Sequence, residues 1–109
     1  MKLSEPWYSL VKNGDKTVEG RIYDQKRKSY IVGDTLVLTD TNGKNEFTRV
    51  ITNLKVFKSF DKAIRYAKLK HILPNIRTYK EGVKVYHSIS GYKEKEKKFG
   101  VLLIFLKTL

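Results

Sequence analysis

Hydrophobic and polar positions along the 109 residues fall into short blocks whose period switches between helix-like and strand-like spacing. Near the start, Leu10 and Val11 sit at the end of a short helix. Ser4 is its expected cap, Pro6 falls in its opening turn and Asn13-Gly14 stops it. Strict alternation follows from Thr17 to Tyr23. Val18, Gly20 and Ile22 point one way, and Thr17, Glu19, Arg21 and Tyr23 the other, as in a strand. Gly33-Asp34 marks a turn before a strand over Thr35–Thr39. Asn42-Gly43 is a two-residue hairpin signal, and a long, bent strand over Glu46–Val56 follows it.

Ser59 then caps a helix over residues 60–70. Phe60, Ala63, Ile64 and Ala67 form its apolar stripe, with Lys58, Lys62, Arg65 and Tyr66 on the far side. His71 continues the apolar side and is expected to pack, and Pro74 closes the segment. Thr78-Tyr79-Lys80-Glu81 has capping-box spacing and opens a third helix, which packs through Val83, Tyr86 and Ile89 and ends at Gly91. The alternating signs of residues 93–98 read as a solvated turn or short helix. From Gly100 to Leu106 the chain is continuously apolar, the mark of a strand buried on both faces. Helices and hairpins interleave without a repeated βαβ unit. The expected fold class is α+β, a small mixed β-barrel flanked by helices. Neither an internal repeat nor a Pro- or Ser-rich linker divides the chain, so residues 1–109 form one domain.

Composition narrows the chemistry. The 40% hydrophobic and 31% charged content is that of a folded chain. The absence of cysteine removes disulfides, thiolate zinc sites and a cysteine nucleophile. His71 and His87 are too few for a site built mainly on imidazole, and His87, beside Tyr86, is a weak candidate for proton transfer. No Ser/His/Asp set, phosphate loop or metal cluster stands out, and neither metal nor cofactor is expected. The longest apolar run, Val101 to Leu106, falls far short of the roughly 20 residues of a spanning helix. The N-terminus lacks the shape of a signal peptide. These features lead to the expectation of a soluble, unprocessed cytoplasmic domain with no membrane partner.

The formal net charge of +12 is unevenly spread. Residues 1–40 hold 7 basic and 6 acidic side chains, residues 41–80 hold 10 and 2, and residues 81–109 hold 6 and 3. A concentrated basic block creates a directed field, and nucleic acids are the common polyanions it would meet. Nucleic-acid or nucleotide contact is the reading this favours over plain solubility. Tyr23, Tyr30 and Tyr66 add possible stacking surfaces, although Tyr30 also suits packing at a barrel rim. Trp7 reads as a core anchor.

The most unusual segment is Gly14-Asp15-Lys16-Thr17-Val18-Glu19-Gly20-Arg21. By pattern alone it is an exposed strand face carrying a same-side salt pair, worth about 0–1 kcal/mol. The alternative is a polar cleft. There Arg21 would clamp a phosphate or base edge, Lys16 would neutralise charge, and Glu19 would orient Arg21 or accept a base amino group. Asp24-Gln25-Lys26-Arg27-Lys28 follows as a cationic loop able to meet phosphates without reading sequence, and it reads equally as a solvated loop.

These elements, in order, resemble the ASCH (activating signal cointegrator homology) domains. The likeness runs through Glu5-Pro6 and the helix to Lys12, then Gly14-x-Lys16-x-x-Glu19-x-Arg21 and Tyr23-Asp24-x-Lys26-Arg27. It continues in Val32-Gly33-Asp34, Lys58-Ser59-Phe60 and Lys97-Lys98-Phe99-Gly100-Val101-Leu102. The resemblance implies a PUA-like pseudo-barrel flanked by helices, with an RNA- or nucleotide-binding cleft between barrel and helices. It carries that role to Lys16, Glu19 and Arg21, with Asp24, Lys26 and Arg27 as a second group. Lys58, Lys62 and Arg65 would extend an electrostatic track, with single-stranded RNA the favoured partner and DNA a possible one. Some relatives implied by the resemblance are enzymes: ribonucleases, and amidohydrolases that act on acetylated cytidine. The amidohydrolases use a Lys, a Thr nucleophile two residues before the Arg, and a distant Glu. Here Lys16 and Arg21 match, and Glu19 occupies the nucleophile position, with Thr17 two residues away. An enzyme acting on RNA or modified nucleosides through Lys16 and Glu19 is the alternative function.

Overall fold

The computed structural model describes residues 1–107. Alternation in the sequence becomes a four-stranded antiparallel sheet in the order β1-β4-β3-β2, made of Val18–Ile22 (β1), Thr35–Thr39 (β2), Glu46–Phe57 (β3) and Val101–Leu106 (β4). Among the described residues five helices accompany it: Trp7–Lys12 (α1), Phe60–Ala67 (α2), Leu69–Ile72 (α3), Tyr79–His87 (α4) and Tyr92–Phe99 (α5). The fold is α+β, a half-barrel with helices against it. A segment at the N-terminus adds a parallel pairing, Lys2 with Thr39, through Leu3 N–H to Thr39 C=O and Thr39 N–H to Met1 C=O, each 2.9 Å.

The apolar run of β4 is explained by two cores. Val101 and Leu103 pack with Val18, Ile22, Phe60, Ile64, Ile72, Leu73 and Tyr86, against the helices α2–α4. Leu102, Ile104 and Leu106 face Leu3, Tyr8, Val11, Leu36, Leu38 and Ile51 inside the curl of the sheet. A strand with a core on each side cannot alternate in polarity. The long strand bends as expected, by a register shift between Ile51 and Asn53 against β4. Tyr30 packs against the inner core, half-buried.

Several local expectations are corrected. The residue at the head of α1 is Pro6, with no side-chain cap, and Ser4 is not used. Instead the Glu5 carboxylate accepts from Ser9 N–H at 3.1 Å and from the Ser9 hydroxyl at 2.7 Å. The helix expected over residues 60–70 breaks at Lys68, whose φ of 74° stops α2 before α3 begins. His71 is therefore turned out to solvent rather than packed, while its carbonyl accepts from Thr17 N–H at 2.9 Å. The Ser59 and Thr78 caps form as expected, accepting from Lys62 N–H and Glu81 N–H. The third helix ends earlier than expected, at His87, which leaves Ile89 43% exposed. The Lys/Glu run is a helix, yet not a wholly solvated one: Glu96 is buried and accepts from Phe60 N–H at 2.5 Å, with His87 Nε2 at 2.9 Å. Gly100 then carries the chain into β4 at φ 79°, where a Cβ would lie 2.8 Å from the Phe57 carbonyl, so no other residue fits.

Candidate functional site

β1 is an outer strand of the sheet, and beside it a cleft of about 390 Å³ opens between the strand, the N-terminal segment and the α4–α5 corner. Its walls are Leu3, Trp7, Leu73, Val85, Tyr86, Ile89 and Tyr92, and its charged groups are Lys2, Lys16, Glu19 and Arg21. The exposed-strand alternative for the Lys-x-x-Glu-x-Arg segment is overturned, because Lys16 is 2% and Glu19 5% exposed.

Each charge is held by the fold. Lys16 leaves the turn after α1 with its ammonium donating to the carbonyls of Val18, at 2.8 Å, and Ile72. It also lies 3.7 Å from Glu19 Oε1 and 5.6 Å from the centroid of the Trp7 ring. Glu19 Oε1 accepts from Gly20 N–H at 2.8 Å and faces the Tyr86 hydroxyl at 3.5 Å. Arg21 donates to the Lys2 carbonyl at 3.0 Å and approaches Glu19 Oε2 to 3.7 Å. That bond ties the outer strand to the segment that pairs with β2, so the N-terminal segment bridges the two edges of the sheet and forms part of the cleft wall.

The three charges set one another's protonation. Burial pushes the Glu19 carboxyl up, but the Lys16 ammonium and the Arg21 guanidinium outweigh it. Together with Gly20 N–H they hold Glu19 below its ordinary value, ionised. Burial lowers the Lys16 ammonium, and Glu19 offsets only part of that. For Arg21 burial works against the charge, yet Glu19 and the hydroxyls of Tyr92 and Tyr86 carry its value upward. Tyr86 is driven well above the usual phenol range by burial and by the neighbouring carboxylate, so it stays a neutral O–H donor.

Behind the charges stands an aromatic stack. Phe60 lies between Tyr86, at 4.3 Å, and Tyr92, at 5.8 Å, each within 7° of parallel. Tyr86 reaches Glu19, and Tyr92 lines the cleft with Arg21. The stack thus fixes the helical wall relative to the strand.

The structure brings together Lys16, Glu19 and Arg21 and leaves the other sequence candidates elsewhere. Asp24 and Arg27 pair with each other at 3.3 Å across a short 3-10 turn, with Lys26 exposed, and none of the three lines the cleft. Lys58, Lys62 and Arg65 are exposed at and along α2, and Arg65 is paired with Asp61 at 3.1 Å. Thr17 lies outside the cleft lining. Trp7, expected as a core anchor, is half-buried in the cleft wall. Tyr86, Tyr92 and Lys2 were not legible as site residues. Gly20 offered the one signal, since glycine inside a strand marks close approach: a Cβ there would lie 3.0 Å from the Tyr86 hydroxyl.

Among the described residues no group of three or more acidic or histidine side chains gathers as a metal site would require, and no helix is long and apolar enough to cross a membrane. No curated protein matches the chain. Two solved structures are similar over their full lengths. The crystal structure of hypothetical protein PH0355 has 32% identity and a TM-score of 0.83, covering 100% of both chains. The solution structure of protein PF0455 from Pyrococcus furiosus also has 32% identity, with a TM-score of 0.74, covering 100% of this chain and 98% of the other. The family model for the ASCH domain matches residues 1–108, so the protein belongs to the ASCH domain family.

Proposed function

We propose that this ASCH domain binds RNA or a nucleotide in the cleft beside β1, with single-stranded RNA the favoured ligand. The observation that carries this is a nucleotide-sized cleft in which aromatic walls meet a cation-rich charge set: Lys2, Lys16 and Arg21 against Glu19. Arg21, whose side chain is 18% exposed, and the exposed Lys2 would meet a phosphate. Lys16 acts differently, because its ammonium is directed at two carbonyls and Glu19, so it positions the carboxylate rather than touching ligand. Lys58, Lys62 and Arg65 would add strand contacts outside the cleft through phosphates. Binding is favoured over amidohydrolysis by the placement of Thr17 outside the cleft lining, which leaves Glu19 in the position where the Thr nucleophile would stand.

A polarisation titration of labelled single-stranded RNA at several salt concentrations tests this. Binding should weaken with salt at a slope of roughly −0.7 per phosphate contact. Arg21→Ala should weaken it well beyond Lys95→Ala, a change on the exposed face of α5. Equal affinity for the two variants would remove the cleft as the site. Shortened RNA on a gel of each endpoint would replace binding by ribonuclease activity.

A further inference from the structure

The cleft contains a carboxylate oxygen to which no protein group among the described residues donates. Glu19 is more than nine-tenths buried and lines the cleft, and its Oε1 is occupied by Gly20 N–H and the Tyr86 hydroxyl. Oε2 receives no hydrogen bond among the described residues. Arg21 Nη2 stands 3.7 Å from it, beyond hydrogen-bond range, and donates to the Lys2 carbonyl. Oε2 is not sealed off from the cleft, so a donor brought by a ligand can reach it and make a charge-assisted hydrogen bond. Lys16 cannot swing over to do so, being bonded to Val18 and Ile72. Because its neighbours keep Glu19 ionised, the free oxygen can only accept.

Size and walls restrict what brings the donor. About 390 Å³ holds one small planar group with its sugar, not a duplex, and Trp7, Leu73, Val85 and Ile89 offer apolar surface to such a ring. We infer that the cleft takes one unpaired nucleobase bearing an exocyclic amino group, which donates to Glu19 Oε2 while Arg21 and Lys2 face the phosphate. This rests on the nucleotide-binding function proposed above. Guanine carries such an amino group beside its ring N–H, and cytosine and adenine carry it where their deaminated forms have a carbonyl. Uracil and hypoxanthine carry a carbonyl at the same ring position, with their ring N–H beside it. Docking that N–H on Oε2 sets a carbonyl oxygen against the carboxylate. A base paired in a duplex keeps one amino N–H free, so it is the size of the cleft that excludes it.

Calorimetric titration of the intact protein with CMP, UMP, AMP and IMP compares amino and oxo forms in both ring sizes. CMP should bind about tenfold or more tightly than UMP, and AMP likewise against IMP, the worth of one charge-assisted hydrogen bond. Glu19→Gln, whose amide can donate to a carbonyl, should erase both preferences. A thermal melt checks that this variant is folded, and the wild-type comparison stands without it. Equal binding of the four nucleotides, or preference for the oxo forms, overturns the amino-group inference and leaves a nucleotide cleft. If none of the four binds while Arg21→Ala still weakens RNA, the single-base pocket is overturned and a backbone groove remains. If none binds and Arg21→Ala changes nothing, the proposed function fails with it.

Discussion

Replacing Lys16 with methionine tests whether the cleft is held by a buried charge set or merely decorated by it. Methionine keeps the length of the stem and removes the ammonium. At 2% exposure, the lost group is one that donates to the Val18 and Ile72 carbonyls and faces Glu19 at 3.7 Å. Removal leaves two carbonyls short of a donor and Glu19 with Arg21 as its only cation. Removing one partner of a buried pair costs about 3–5 kcal/mol. In a domain of this length that lowers Tm by about 12 °C or more. Urea denaturation at low temperature should therefore show Lys16→Met strongly destabilised at unchanged m. Lys16→Met combined with Glu19→Gln should recover part of the loss, since no uncompensated carboxylate remains. A loss below about 1 kcal/mol, the worth of an exposed pair, would refute the buried-charge account. Strict additivity of the two changes would do the same. RNA affinity of the folded fraction should also fall, because Glu19 and Arg21 lose their support.

Three further outcomes follow from the same geometry. The lowered Glu19 value gives stability that is fully present above its unfolded pKa of about 4.5 and is lost as pH falls through its folded value. Acid denaturation should therefore be steeper below that pH in wild type than in Glu19→Gln, and matching acid limbs would contradict the assignment. Gly20→Ala brings a Cβ to 3.0 Å from the Tyr86 hydroxyl and 3.1 Å from Cζ, while Phe60 backs that ring at 4.3 Å. A loss of about 1–3 kcal/mol and an altered near-UV aromatic signal are expected, whereas unchanged stability would mean the ring yields freely. Glu96→Ala removes the acceptor for Phe60 N–H and the partner of His87, so about 1–3 kcal/mol should be lost in denaturant titration. A neutral result would show that α5 is not anchored through this carboxylate.

Where local chemistry decides structure, residue order alone was enough. Ser59 and Thr78 cap helices because their hydroxyls reach the backbone N–H three residues on, whatever lies beyond. Thr35–Thr39 forms after Gly33-Asp34, and Val101–Leu106 is buried on both sides, because turn chemistry and a run of apolar residues are local facts. Ordered motifs likewise pointed to the ASCH family, and the Lys-x-x-Glu-x-Arg spacing to the residues that meet at the cleft. Tertiary structure decided everything that depends on which surfaces meet. Period-two alternation cannot say whether a strand's polar face looks at water or at a helix, and so Glu19 read as exposed until α4 set Tyr86 against it. The break at Lys68 turned His71 outward against its helical periodicity, while Glu96 was drawn inward from a run that looks fully solvated. Arg21 meets the Lys2 carbonyl, 19 positions away in the chain, only because the sheet curls until its two edges are joined. Such contacts depend on long-range packing in which burial, desolvation and pairing are settled together, and no window of neighbouring residues contains those terms.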